Sequence, residues 1–202
     1  FAGFTGIVDA LGGIEVCSKV AINDPKSHLV MAAGTHTLGG IEALKYVRTR
    51  DFDGRGDIGR MERQQQFVGA VLRKATSSGV LLNPIKLTNF YNAAISSVKM
   101  DAGVTKNDLL TLAKQLRNLS SGNVRTLTVP ISNPNGRHPT AGSVVIWDDV
   151  LAANLWTKIR NDEALLETVK PTASASAKPV TIDKFKTKTA ADNPCAAIDS
   201  RA

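Results

Sequence analysis

Histidine, cysteine and aromatic residues are scarce in this 202-residue chain, which has 3 His, 2 Cys, 2 Trp, 2 Tyr and 6 Phe. His28, His36 and His138 share no metal-ligand spacing with one another or with either cysteine, so no zinc site is indicated. Two thiols cannot build the framework of a disulfide-dense domain, and in a chain of unassigned compartment such a pair is ordinarily free. The thinly spread aromatics do not interleave with basic residues, which speaks against a stacking platform for nucleic acid. No apolar run approaches the roughly 18 residues that a membrane span needs. Neither a GxSxG elbow nor a Walker A loop occurs. Asp51, Asp53 and Asp57 do not complete an EF-hand loop, in which Arg55 would stand at a ligand position, and the first two read as turn formers.

What the chain has is positive charge. The net charge is +7 with a pI near 9.6, and the hydrophobic content of 43% suits one substantial core. Such a balance favours an anionic partner without choosing among nucleic acid, a membrane surface and a phosphorylated substrate. The charge concentrates between Gly40 and Ala75, where Arg48, Arg50, Arg55, Arg60, Arg63 and Arg73 lie with Lys45 and Lys74.

One residue separates Arg48 from Arg50, so in an extended backbone both side chains leave on the same side. An Asp/Gly-rich turn follows, and Asp57 is expected to cap a helix. On that helix Met61, Phe67, Val68, Val71, Leu72 and Ala75 form the expected buried stripe, and the projection places Arg60 and Gln64 inside it. Inward cations need an anion to meet them. An internal ion pair would satisfy one. Arg48, Arg50, Arg60 and Gln64 converging on a helix N-terminus instead describe a phosphate or pyrophosphate site. Arginines held on a buried helix face also disfavour nucleic acid as the partner.

The run Ala43 to Arg50, the Asp/Gly turn, and Asp57-Ile58-Gly59-Arg60-Met61-Glu62-Arg63-Gln64-Gln65-Gln66 resemble the signature of the LytR-CpsA-Psr family. Val8 to Val16 and Gly34 to Gly40 resemble its upstream motifs, in the right order. The resemblance implies a phosphotransferase at the extracytoplasmic face of the cell membrane. Its expected donor is a glycopolymer, such as arabinogalactan or teichoic acid, on a polyprenyl-pyrophosphate carrier; the expected acceptor is peptidoglycan, with Mg2+ on the pyrophosphate. It puts the pyrophosphate-binding and catalytic roles on Arg48, Arg50 and Arg60, with Gln64 as a further binding residue. It also places Phe1 to Gly13 mid-domain, so the metal ligands and a membrane segment are expected in an N-terminal part outside this chain, without which the chain is expected to be inactive. For a protein of the cell exterior the even cysteine count implies a disulfide between Cys17 and Cys195. A non-catalytic module that binds lipid pyrophosphate is the alternative.

Elsewhere the sequence predicts a helix near the start (Phe4, Ile7, Val8, Leu11), a strand Ile14 to Ile22 and a loop through Gly34. A helical period follows from Leu38 to Val47 with Leu38, Ile41, Leu44 and Val47 on one side. After a break at Ser77-Ser78-Gly79 come helices Ile85 to Val98 and from Val104 onwards, with Thr105 as its cap. Strands Val124 to Pro130 and Gly142 to Trp147 are predicted around a loop Asn133 to Pro139, then a helix Asp148 to Asn161 carrying Val150, Leu151, Leu155 and Ile159. Interleaved helices and strands predict an α/β fold, a layered α/β/α sandwich with a central mixed sheet. The expected organisation is a family-type domain over 1–165, a small-residue linker over 166–179, and a tail over 180–202 docked through the disulfide.

Overall fold

The computed structural model describes residues 1–81, 83–97, 103–105, 107–108, 111, 120–169, 180–192 and 195. They fall into two compact units, Phe1–Val124 with Thr189–Ala202, and Arg125–Lys188.

In the first unit, helix α1 (Ala2–Ala10) stops at Gly12 and Gly13, whose φ of +74° and +89° turn the chain where a side chain would be strained. Strand β1 (Ile14–Ser18) then pairs antiparallel with β4 (Gly34–Leu38), Ile14 opposite Leu38. Between them β2 (Ile22–Asp24) and β3 (Leu29–Met31) form a hairpin. The single strand expected over 14–22 is therefore broken, and the expected loop carries β3. Asp24 causes the reversal: its Oδ1 accepts the backbone N–H groups of Lys26 and Ser27 at 2.9 and 3.1 Å, an Asx-type turn that sequence pattern alone understates. Ile22, Leu29 and Met31 then enter one core with Val8, Leu11, Ile14, Val16 and Leu38.

Helix α2 (Gly40–Arg48) begins where Gly40 N–H donates to Asp9 Oδ1 at 2.8 Å. A Cβ at Gly40 would lie 2.6 Å from the Thr5 carbonyl oxygen, so the glycine lets α1 and α2 approach. Its buried face is Ala43, Tyr46 and Val47; Ile41 is solvent-exposed and Leu38 belongs to β4, which corrects the expected stripe. Helix α3 (Gly56–Ala75) ends at Thr76. The expected break after it holds only one turn, α4 (Ser78–Leu81), before α5 (Pro84–Ser97). Ser97 Oγ donates to the Gly3 carbonyl at 3.0 Å, closing α5 on α1. Phe4 stacks on Phe67, ring centroids 5.2 Å apart. Of the helix expected from Val104, the structure shows the cap: Thr105 and Asp108 exchange backbone-to-side-chain bonds of 2.8 and 3.3 Å. Most of the rest of it, and Val98, lie outside the described residues. Ala190 N–H donates to the Val124 carbonyl, and Cys195 is buried in a disulfide with Cys17, Cα atoms 5.6 Å apart.

In the second unit, the strand expected over 124–130 shortens to β5 (Arg125–Thr126). The expected loop at Asn133–Pro139 is mostly strand: β6 (Ile131–His138) pairs with β7 (Gly142–Trp147), its register shifted between Ile131 and Gly136 so that Pro134 sits in an irregularity. Asp148 caps helix α6 (Asp149–Arg160), accepting the Leu151 N–H at 3.0 Å. Ala152 and Leu155 are buried, as is Phe185, whereas Val150 and Ile159 are exposed. β8 (Glu167–Val169) opens the expected linker and pairs with β9 (Val180–Ile182). The tail thus serves both units, 180–188 the second and the residues from 189 the first.

The α/β expectation holds. The single central mixed sheet does not assemble among the described residues, where strands pair two by two. The ladders β1–β4, β2–β3, β6–β7 and β8–β9 are all antiparallel, and β2–β3 and β6–β7 close through short turns with no room for the crossover that parallel pairing requires.

Candidate functional site

The last turn of α2 ends on Thr49, which is fully buried and extended (ψ 138°), its Oγ1 donating to the Tyr46 carbonyl at 2.8 Å. With Thr49 inward, Arg48 at the end of α2 and Arg50 just after it both face solvent. The Arg48 guanidinium lies 5.5 Å from the Phe1 ring centroid. The Arg50 backbone is anchored separately: its N–H donates to Asp24 Oδ2 at 2.7 Å, beside the Asp51 N–H at 3.3 Å. Burial alone would push the Asp24 carboxyl up, but the four N–H donors of Arg50, Ser27, Asp51 and Lys26 outweigh it and hold the pKa at about 2.

Helix α3 does not present the expected face. Its buried residues are Gly59, Arg63, Phe67, Gly69 and Ala70, while Met61 and Val68 are 36% and 52% exposed. The inward cation is therefore Arg63, not Arg60, and Gln64 is exposed. Two causes are visible. Gly59 and Gly69 allow close approach on this side, where a Cβ would meet Asp53 at 2.9 Å and the Ala190 backbone at 3.1 Å. Arg63 also finds acceptors for both Nη groups there, Nη1 donating to Asp53 Oδ2 at 2.9 Å and Nη2 to the Thr49 carbonyl at 2.5 Å, with the Phe52 ring 4.7 Å below its guanidinium carbon, while its buried Nε has no hydrogen-bond partner. The ion pair thus makes the burial tolerable, the outcome expected of a lone inward arginine.

Asp57 is not the cap. Arg55 holds that position, and Asp57 sits in the first turn, where its carboxylate pairs with Arg60 at 2.8 Å and Arg50 at 3.4 Å. Gln64 Nε2 donates to the Val47 carbonyl at 3.2 Å. Arg48, Arg50, Arg60 and Gln64 are thus gathered at the junction of α2 and α3, on its solvent-facing side. Arg50 and Arg60 meet Asp57, all four are at least partly open to solvent, and the buried-face reason against nucleic acid does not stand.

The acidic residues of this region are each engaged by a cation: Asp51 by Lys26 at 2.6 Å, Asp53 by Arg55 and Arg63, Glu62 by Arg55, and Asp57 by two arginines. Burial would raise the Asp53 carboxyl, but the Arg55 N–H and the nearby guanidinium groups hold it below its usual value. Among the described residues no group of three or more His, Cys, Asp or Glu is placed to hold a metal. This donor set does not fit Mg2+. A pocket of about 20 Å³, room for one water, is lined by Glu15, Tyr46, Phe67, Arg73 and Asp192 among others, and includes none of the four expected site residues.

Sequence reading took Asp24 and Asp53 as turn formers and gave Arg63 no role of its own. The signal available was the turn-forming Asp24-Pro25 and the spacing of Arg63 from Phe67 by one turn. Gly54-Arg55-Gly56-Asp57-Ile58-Gly59 also spells G-x-G-x-x-G, but it follows a helix and a bend instead of a strand, the wrong context for a dinucleotide loop.

The model of the LytR_cpsA_psr family matches residues 1–161. The chain belongs to this family. Its relatives include the cell wall biosynthesis protein LcpA of Corynebacterium glutamicum, 40% identical over 146 residues, 72% of this chain and 28% of LcpA. Another is the polyisoprenyl-teichoic acid–peptidoglycan teichoic acid transferase TagU of Bacillus cereus, 32% identical over 119 residues, 58% of this chain and 36% of TagU. Among solved structures, a LytR-Csp2A-Psr enzyme from Actinomyces oris superimposes with a TM-score of 0.60 at 26% identity, over 78% of this chain and 60% of that one. The chain spans about a third of the length of these two curated relatives. Within the family segment lie both arginine-bearing elements, the end of α2 and the start of α3.

Proposed function

We propose that this chain is part of a transferase that moves a glycopolymer from a polyprenyl-pyrophosphate carrier to peptidoglycan at the extracytoplasmic face of the cell membrane. The observation that carries the reading is the gathering of Arg50 and Arg60 on one carboxylate, 3.4 and 2.8 Å away, in the first turn of the 20-residue helix α3, with Arg48 two residues before Arg50. Planar guanidinium forks and a helix N-terminus suit pyrophosphate oxygens. The names of the relatives, cell wall biosynthesis protein and teichoic acid transferase, support the same class.

In the transfer, an acceptor hydroxyl attacks phosphorus, and the bond to the carrier's leaving phosphate breaks as the hydroxyl proton passes to a base. Fixed arginines act on the charge that builds on the leaving phosphate, which is where phosphoryl transfer gains most from a protein. Arg48, Arg50 and Arg60 would hold those oxygens, and Gln64 would donate a neutral hydrogen bond beside them. Magnesium, implied by the resemblance, would have to find its ligands beyond the described residues. No helix among the described residues is long and apolar enough to cross a membrane, so attachment would use other residues.

Transfer from a lipid-pyrophosphate donor by the intact protein, with and without Arg60→Ala, tests the reading. Loss of product is expected. Unchanged transfer would sink it, and pyrophosphate binding with no product from the unaltered protein would favour a non-catalytic binding module instead.

A further inference from the structure

Arg48 is the last residue of α2, and Arg50 stands on the segment that follows, which has no regular hydrogen-bond ladder of its own before α3 starts. Exposed arginines on such a segment can bind an anion tightly only if the backbone beneath them is held, because a site that orders on binding gives up affinity to conformational entropy. The structure shows two holds. From one side, the Asp24 carboxylate, 1% exposed, bridges the β2–β3 turn and this segment: Oδ1 accepts the N–H groups of Lys26 and Ser27, and Oδ2 those of Arg50 and Asp51. From the other, the buried Arg63 guanidinium joins the Thr49 carbonyl to the Asp53 carboxylate and rests on the Phe52 ring. Every residue from Thr49 to Asp53 is thereby tied by its backbone or its side chain to one of two buried charges.

We propose that Asp24 and Arg63 are positioning residues, a two-point clamp that fixes the Arg48-Thr49-Arg50 backbone in register with Arg60 and Gln64 while neither touches the pyrophosphate. The inference rests on the reading of those four residues as the pyrophosphate site. Packing alone does not require this arrangement: a buried apolar residue at position 63 would leave fewer charges to satisfy, and replacing buried ion pairs by apolar residues is often neutral or stabilising. What the guanidinium adds is a planar fork with two acceptors on different turns, a geometry an ammonium group cannot reproduce.

The test uses the intact protein and the variants Asp24→Asn, Arg63→Lys and, as reference, Arg60→Ala. Titration calorimetry with farnesyl pyrophosphate reads the site, and amide hydrogen exchange over residues 48–53 without ligand reads the clamp. Expected for Asp24→Asn and Arg63→Lys are faster exchange in that window, unchanged exchange in the β1–β4 ladder, and affinity weaker by about 10- to 100-fold, the scale of misplacing a binding group by an ångström. Normal affinity in both variants beside a lost response in Arg60→Ala would overturn the clamp and leave the site reading standing. Exchange that rises across the whole first unit would reduce both residues to fold stabilisers and overturn the inference as well. If the unaltered protein does not bind the probe, the site reading falls and the positioning role falls with it; exchange still shows whether the two residues hold the segment.

Discussion

Arg60 and Asp57 face each other one helical turn apart, their charged atoms 2.8 Å from contact to contact, and the same carboxylate lies 3.4 Å from Arg50. Both partners are partly open to water, so the pair adds little to stability. Its consequence is on binding: an incoming pyrophosphate must compete with Asp57 for the two guanidinium groups.

Replacing Asp57 by Asn should therefore tighten the binding of inorganic pyrophosphate by roughly 5-fold, since a unit charge at about 4 Å in water-like surroundings is worth about 1 kcal/mol. Titration calorimetry at low and high salt checks this. The gain should shrink as salt screens the exposed charges. Weaker binding in the variant would mean that Asp57 organises the arginines more than it competes for them.

Asp24 makes the first unit sensitive to acid. Its folded pKa of about 2 lies below the usual 3.8, so the carboxylate contributes stability above roughly pH 4, and that contribution is lost as pH falls through 2. The difference amounts to about 2 kcal/mol. Denaturant unfolding of the parent and Asp24→Asn should differ by that order near neutral pH and converge near pH 2. A gap that persists undiminished in acid would refute the linkage.

The Cys17–Cys195 bridge closes a sequence separation of 178 residues. In the chain-entropy model so long a loop restrains the unfolded chain by about 5 kcal/mol, with native strain reducing the gain. Cys195→Ser should lower the denaturant midpoint, and the unaltered protein under non-reducing conditions should weigh two hydrogens less than its reduced form. An intact mass equal to that of the dithiol would remove the bridge.

Much of the first unit could be read in the chain because its signals are local. The Gly12-Gly13 stop, the helix that leads into Arg48 and the shared exposure of Arg48 and Arg50 all follow from residues within a few positions of one another. Period-based readings fared worse where the apolar pattern was broad. On α3 a rotation of about 60° separates the Arg60 and Gln64 face from the Arg63 and Phe67 face, and Met61, Val68 and Val71 made the first look as apolar as the second.

The sequence by itself determined the family, the α/β class, the run of arginines and the cysteine pair able to bridge, since these depend on residue identity and order. Tertiary structure alone decided which arginine goes inward. That choice depends on acceptors distant in the chain or on its backbone, the Asp53 carboxylate and the Thr49 carbonyl, and on Gly59 and Gly69 admitting close contact on one side of α3. It likewise decided that Asp24, 26 residues before Arg50, would hold that residue's backbone. A buried charge selects its partner by distance in space, a quantity no pattern of neighbours along the chain contains.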